Sequence, residues 1–518
     1  MDRRALLTTV VAVAATACTG KDRDPGGATG KRTEAPSRGT ASASSAPPDW
    51  GALARGLEGQ LVRPGDADYP SARQLYNTRF DALRPAAVAY VAGEDDVKEC
   101  LAYAKAHGTP VSIRNGGHSY GGWSSGNGHL VIDVSSLDRI GADGTIGAGA
   151  KLIDVYNTLA RDGRTIPAGS CPTVGVSGLV LGGGHGVASR AYGLTCDSLT
   201  SARIVTADGR VLTASAQENK DLFWALRGAG NGNFGVVTGF TFRTHPAPRT
   251  VSAFLNWPWR KADRVIAAWQ RWGPDQPDEI WSSLHLAAGP GGSAPTLSVS
   301  AFTLGAESDL RNALDRLADL VGSSASSVAL RPRSYRDAML AYAGCLSFTE
   351  AQCHLPGTTP GRSPQGALQR ETYASASDFY DRDIDAAGRR ALIAATEAFT
   401  RIPAAEGGGC SIALTALGGA VNRVDPLATA FVHRRSRMLA QYIGAWRAGT
   451  AGTAQQTWLK DTHAAMRRHA SGAAYQNYAD PTLRNWREAY YGPAADRLTR
   501  LKRQYDPDRL FAHHPQAL

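Results

Sequence analysis

The pattern of apolar and polar positions divides the chain into a leader, a featureless stretch and a long patterned remainder. Residues 5–17 form a largely apolar run behind Met-Asp-Arg-Arg and lead into Cys18. Residues 19–48 are Gly, Ser, Thr, Ala, Pro and charges without apolar periodicity, which predicts a flexible tether. Patterning begins at Trp50. Residues 84–91 read as a strand, and 94–107 as a helix with Val97, Leu101 and Ala104 on one face, stopped by Gly108-Thr109-Pro110. Strands follow into Arg114 and over 130–134, then a helix over 152–162. Two short strands, 202–206 and 210–213, are linked by Asp208-Gly209, a hairpin signal. A helix over 221–226 leads into glycines at 228–235 and a strand from Val236, and Pro246 and Pro248 mark an exit. From 251 to 470, strands such as 297–302, 411–417 and 438–446 alternate with long amphipathic helices such as 310–321. That alternation predicts a separate α+β unit on an antiparallel sheet.

At 518 residues the chain exceeds one ordinary core, so two globular units are expected. The net charge of +10 changes little, because Lys and Arg are interleaved with acids. No basic stripe with stacking aromatics is present, which argues against nucleic-acid binding. No fixed-period repeat suggests a solenoid or propeller. The cysteines (Cys18, Cys100, Cys171, Cys196, Cys345, Cys353 and Cys410) include no Cys-x-x-Cys pair, so no metal site is expected.

The leader reads as an export signal, its apolar run being too short to persist as a spanning helix. Arg3-Arg4 points to twin-arginine export, and Ala-Thr-Ala-Cys-Thr-Gly to a lipoprotein cleavage box with Cys18 lipidated. Asp2 and Ala15 depart from those patterns, and a simple cleaved secretory signal is the alternative. The expected location is extracellular or on the outer face of the cytoplasmic membrane, with membrane contact only through a lipid on Cys18. In an oxidising environment Cys345 and Cys353 are candidates for a disulfide, with two free thiols as the alternative.

Two glycine-rich stretches carry the candidate chemistry. In Arg114-Asn115-Gly116-Gly117-His118-Ser119-Tyr120, a β-branched strand breaks into glycines that let main-chain N–H groups turn toward an anion. Gly147-x-Gly149 fails as a dinucleotide fingerprint, since Leu152 occupies the third glycine position. The glycines at 228–235 follow a helix and precede a strand, the reverse of the Rossmann order. The second motif is Gly169-Ser170-Cys171-Pro172-Thr173-Val174-Gly175-Val176-Ser177-Gly178, continuing to Gly182-Gly183-Gly184-His185-Gly186.

In this order and spacing the two motifs resemble the berberine-bridge-enzyme-like flavoproteins of the vanillyl-alcohol-oxidase fold class. The resemblance runs from about Pro64 to the C-terminus, where Tyr475-Gln476-Asn477-Tyr478-Ala479-Asp480 is similar to the family's return to its cofactor domain. It implies an α+β, two-domain, PCMH-type flavoprotein with a discontinuous FAD domain and an antiparallel-sheet substrate domain. The implied boundaries are 49–248 for the FAD domain, 249–470 for the substrate domain and 471–518 for the returning segment.

The resemblance further implies FAD held by two covalent bonds, from His118 and from Cys171. The cradle would comprise Arg114, Asn115, Gly116, Gly117, His118 and Ser119, then Cys171, Val174, Gly175, Gly178 and Gly182, then Gly235 and Val237, with Asn477 and Tyr478 closing it. Tyr478 matches the family's catalytic tyrosine, whose pKa near 10 its surroundings would have to lower for it to act as a base. Tyr475, on an extended strand, would face the other way and pack. His185 stands where many relatives carry Tyr or Phe, and is expected to share the proton work or bind substrate, with a histidine bonded to backbone as the alternative. Gln441 matches a pocket-facing polar position on the substrate-domain sheet. Val174 implies room for O₂ beside the flavin. The reading is an FAD-dependent oxidase moving hydride from a C–OH group of a sugar or hydroxylated metabolite to flavin N5, with H₂O₂ as product. The alternatives are a dehydrogenase using another acceptor, or an exported lipoprotein that binds without turnover.

Overall fold

The computed structural model describes residues 49–512 and 514–518, so the expected leader with Cys18 and the tether 19–48 lie outside the described residues. Helix Glu94–His107 forms as its pattern predicts: Glu94, Asp95 and Asp96 favour the N-terminal dipole, and Gly108 at φ +61° ends it in the left-handed conformation. The helix connects two strands of a four-stranded sheet ordered Gln60–Val62, Ala87–Tyr90, Leu130–Asp133, Val111–Arg114, whose last three strands run parallel. The central strands Ala87–Tyr90 and Leu130–Asp133 are buried along their length, as the parallel arrangement with cover on both faces requires.

A second four-stranded sheet, antiparallel, has the order Thr145–Gly147, Val236–Phe242, Leu199–Val205, Val211–Ser215. Its predicted hairpin turns at Gly209, φ +81°. Helix Leu152–Arg161 and the strands of both sheets contribute side chains to one core.

The third sheet is fully antiparallel, in the order Ser327–Ser334, Arg249–Trp257, Thr296–Thr303, Ile280–Ala288, Gly409–Ala416, Met438–Ala445, Tyr373–Tyr380. Helices Ala262–Trp272, Glu307–Val321, Ala386–Phe399 and Thr453–Arg467 send their apolar stripes into a core shared with Leu255, Val299, Ala440 and Tyr442. The period of two sends the alternate residues Phe254, Phe302, Phe379 and Leu439 into the core of the first unit. The sheet is thus sandwiched, one face on its helices and the other toward the glycine loops.

One part of the chain between 249 and 470 crosses back, which local periodicity does not reveal. Helix Tyr335–Tyr342 and the irregular segment after it pack on the first unit: Arg336 donates to Asn157 Oδ1 (2.8 Å), and Asn77 donates to the Tyr373 carbonyl (2.8 Å). Cys345 and Cys353 are bonded within this excursion, their Cα atoms 5.7 Å apart. Closing so small a loop removes about 2–3 kcal/mol of denatured-state freedom. Peptide mapping without reductant is expected to recover the two cysteines linked, and Cys345→Ser/Cys353→Ser to lower the melting temperature. Two free thiols in the mature protein would refute the linkage.

Beyond 470 the chain returns to the first unit through the 3₁₀ turn Gln476–Tyr478 and helices Trp486–Tyr491 and Ala495–Tyr505. Lys502 anchors this return, donating to the Asn233 carbonyl (2.7 Å) and pairing with Asp506 (2.7 Å).

Candidate active site

A cavity of about 380 Å³ lies between the glycine loops and the third sheet, with the returning segment as its third wall. The first loop leaves strand Val111–Arg114, where Arg114 donates through Nε to the buried carboxylate of Asp133. Gly117 takes φ +68°. A Cβ on Gly116 would stand 2.4 Å from the Thr173 carbonyl, and one on Gly175 would stand 2.2 Å from Asn115 Cγ. Only glycine permits the two loops to interlock this closely. Asn115 completes the lock by donating to the Ala148 and Ala150 carbonyls and to Ser177 Oγ, while its own carbonyl accepts from Lys151.

His118 and Cys171, separated by 53 residues in sequence, line the same cavity. The His118 ring stacks on Tyr76 (centroids 3.9 Å apart), and its Nε2 is 2.8 Å from Thr173 Oγ1. Burial, with the charge of Lys151, pushes its pKa down to about 3, so the imidazole is neutral at physiological pH. Arg114, Asn115, Gly116, Gly117, Ser119, Val174, Gly175, Gly178, Gly235, Val237, Asn477 and Tyr478 also line the cavity. Gly182 does not; a Cβ there would fall 2.1 Å from Asn477 Oδ1, so this glycine makes room for Asn477. Asn477 in turn donates to the Leu179 carbonyl (2.9 Å) and accepts from Asn231 (2.7 Å). Its amide braces the loops.

Tyr478 faces the cavity with its ring parallel to that of Tyr120, centroids 5.4 Å apart. Its hydroxyl is 2.7 Å from His185 Nε2. His185 itself, part-exposed, is not among the lining residues; its Nδ1 is buried without a hydrogen-bond partner. Gln441, also part-exposed and not among the lining residues, donates to the Tyr120 hydroxyl at 2.8 Å. Each is therefore hydrogen-bonded to a tyrosine of the cavity wall.

Two expectations need correcting here. The surroundings do not lower the Tyr478 pKa: burial, then the neighbouring Tyr120, Tyr475 and Cys171, push it well above its usual value, and no cation opposes them. Tyr475 is not on a strand facing away. The Tyr478 N–H closes a turn onto the Tyr475 carbonyl (2.8 Å), which brings the two rings edge to face at 5.0 Å. The Tyr475 hydroxyl accepts from Gly184 N–H (2.8 Å) and from Asn477 (3.0 Å), fixing the triple-glycine loop.

Residues outside the motifs complete the walls. Beside Tyr120, which ends the first motif, these are Glu371, Tyr373 and Ile443, from the excursion and the third sheet, where no sequence signal marks them. Glu371 is the single carboxylate among the described lining residues. Among the described residues no group of His, Cys, Asp and Glu is arranged to hold a metal ion, and no helix is long and apolar enough to cross a membrane.

Behind Tyr478 sits a buried ionic clamp. His463 lies 3.4 Å from Asp378 on the third sheet and 3.5 Å from Asp480, two residues past Tyr478, and Arg467 also pairs with Asp378 (2.7 Å). Burial opposes the charged imidazole, but the two carboxylates outweigh it and raise the His463 pKa from 6.5 to about 9. A raised folded-state pKa stabilises fully below about pH 6.5 and is lost as pH rises through about 9. Melting temperature is therefore expected to fall between pH 7 and 10, and His463→Gln to flatten that fall. Parallel profiles for the two proteins would exclude the clamp as its cause.

Comparison with known proteins matches residues 85–215 to the FAD binding domain family and 474–516 to the family described as berberine and berberine like. The uncharacterised FAD-linked oxidoreductase YgaK of Bacillus subtilis is 31% identical over 464 residues, covering 88% of this chain and 96% of the relative. The chain belongs to the berberine-bridge-enzyme-like FAD-linked oxidoreductases. The chitooligosaccharide oxidase of Gibberella zeae is 30% identical, over 86% of this chain and 89% of that protein. The solved structure of the wild-type BBE-like 1 of Physcomitrella patens superposes with a TM-score of 0.79 at 29% identity, covering 90% of this chain and 98% of that one.

The cavity of this FAD-linked oxidoreductase fits its cofactor. Beside the glycines that leave no space for a Cβ, Asn231 Oδ1, Gln476 Oε1 and Gln516 Oε1 are buried without a protein partner, and all three residues line it. Buried acceptors of this kind are costly unless a bound group donates to them.

Proposed function

We propose that the protein is an exported oxidase, with FAD bonded to both His118 and Cys171, acting on a C–OH group of a sugar or hydroxylated metabolite. The observation that carries the reading is the meeting of two nucleophilic side chains and a tyrosine hydroxyl on one cavity. A neutral imidazole and a thiolate are the forms that attack an electrophilic carbon. Thr173 holds His118 Nε2, which leaves Nδ1 as the ring nitrogen for the bond. Bound there, FAD would supply the acceptor for the hydride and the route of two electrons to O₂.

The protein's own contribution is the proton. A substrate hydroxyl beside Tyr478 gives its proton to the tyrosine oxygen as the phenolic proton passes to His185 Nε2. Because burial holds the Tyr478 phenol protonated and lowers the His185 pKa to about 4, neither group stores charge at rest. The relay operates only while the hydride leaves. Gln441 orients Tyr120, and Tyr120 stacks on Tyr478, so the reacting hydroxyl sits against two parallel rings.

Val174 on the cavity wall supports O₂ as the acceptor, and the chitooligosaccharide oxidase among the relatives supports oligosaccharides as the first substrates to test. Peroxide released in air during oxidation of an oligosaccharide panel is the expected result. Turnover only with an added dye would make the protein a dehydrogenase, and a colourless folded preparation would favour the non-catalytic binding lipoprotein.

A further inference from the structure

Behind the cofactor loops, distinct from the large cavity, is a polar chamber of about 40 Å³. Its walls bring together Arg114, Lys151 and Arg362 with a single carboxylate, Asp133. Arg114 and Asp133 side chains are 4% and 2% exposed, and Lys151 is 5% exposed.

The partners of these cations are unequal. Arg114 meets Asp133 through Nε and has the Tyr90 hydroxyl, also on the chamber wall, as a neighbour, but its Nη1 is buried with no hydrogen-bond partner. Lys151 spends its donors on neutral groups: Asn115 Oδ1, Ser135 Oγ (3.0 Å) and the Gly149 carbonyl (2.9 Å). Arg362 also donates to neutral oxygens, those of Pro356 (3.1 Å), Ser71 (3.4 Å) and the Gln74 side chain (3.2 Å). Asp154, the next carboxylate on helix Leu152–Arg161, lies outside the chamber and faces His354 at 3.1 Å. Ser71 Oγ, on the chamber wall, is a second buried polar atom without a partner. Burial brings the Lys151 pKa down to about 8 against the pull of Asp133, Asp154 and Asp138, and that of Arg362 to about 10, whereas Asp133 and Tyr90 outweigh burial at Arg114 and raise its pKa.

A water molecule would satisfy Arg114 Nη1 and Ser71 Oγ but would leave the excess positive charge in a poorly solvated space. An anion answers both. We propose that this chamber binds one small monovalent anion of halide size, held by Arg114 Nη1 and the Ser71 hydroxyl and neutralised by Lys151 and Arg362. The space excludes anything much larger than one or two waters, so the ligand class is chloride or its close analogues.

The chamber also joins separate parts of the chain. Asn115, Gly116 and Thr173 come from the two cofactor loops, whereas Leu355, Pro360, Gly361 and Arg362 come from the excursion of the third-sheet unit. Gly361, at φ +79°, lies so close that a Cβ on it would be 2.6 Å from Lys151 Nζ. A bound anion therefore fastens the excursion against the loops that carry His118 and Cys171.

The test uses the full mature protein with its cofactor. Crystals grown in sodium bromide should give an anomalous bromide peak between Arg114 and Arg362. Melting temperature should rise saturably with chloride or bromide over gluconate at fixed ionic strength, and that dependence should disappear in Arg362→Gln. A chamber holding only water in bromide-grown crystals, or superimposable melts in halide and gluconate, overturns the proposal. Should Arg362→Gln fail to fold, the bromide map of the unaltered protein decides by itself.

Discussion

Tyr478→Phe is expected to lower turnover by about 10²- to 10⁴-fold while the protein stays yellow, the scale on which a positioned acid–base group acts. The substitution keeps the ring that stacks on Tyr120 and packs edge to face on Tyr475, so the cavity wall survives. It removes only the oxygen that faces His185 at 2.7 Å. Because the loss falls on proton transfer, kcat should drop more than KM rises. His185→Phe is the companion variant: it deprives the Tyr478 proton of its acceptor but leaves the tyrosine oxygen beside the substrate, so a smaller loss is expected. Full activity in Tyr478→Phe would place the base elsewhere on the cavity, with Glu371 the next group to replace. A large loss in Tyr478→Phe alone, with none in His185→Phe, would keep the tyrosine and remove the relay.

His118→Ala/Cys171→Ala is expected to release the flavin completely on acid precipitation, whereas each single variant retains it. The two side chains sit on different loops of one cavity, so under the proposed double linkage either bond would hold without the other. The loops themselves are held by contacts neither substitution touches: the Asn115 hydrogen bonds and the close packing of Gly116 on Thr173 and Gly175. Folding should therefore persist, and the double variant should bind FAD reversibly. Pellet absorbance and intact mass read the outcome directly. Flavin washing out of either single variant would mean that only the other residue forms a bond, and a colourless pellet from the unaltered protein would remove both.

Much of the architecture was legible because it is written in local pattern. Helix Glu94–His107 forms over the predicted residues, since acidic residues at its start and a glycine at its end coincide with its apolar face. The strands around Val299, Leu414 and Ala440 were found from their apolar runs, but their order in the sheet was not, because pairing depends on contacts between residues as distant in sequence as Ser283 and Thr415. The same limit hid the excursion after Tyr335. Its residues carry no periodic signal, and its place is fixed by contacts scattered along the first unit, among them Arg336 to Asn157, Arg370 to Asp81 and Arg362 to Gln74.

By itself the sequence determined the cofactor class and the candidate linking residues. Glycines at 116, 117 and 175 are required by backbone geometry, and a histidine and a cysteine set among them are marked by their chemistry. Only the tertiary structure decided which groups meet. His185 and Tyr478 are 293 residues apart, and only folding brings the imidazole onto the tyrosine hydroxyl. Gln441 likewise meets the Tyr120 hydroxyl. The Tyr478 pKa moved opposite to expectation because burial, a property of the packed surroundings, outweighs anything a motif can specify. Charge balance is the same kind of quantity: Arg114, Lys151 and Arg362 are ordinary cations in sequence and become a site only when folding encloses them with one carboxylate.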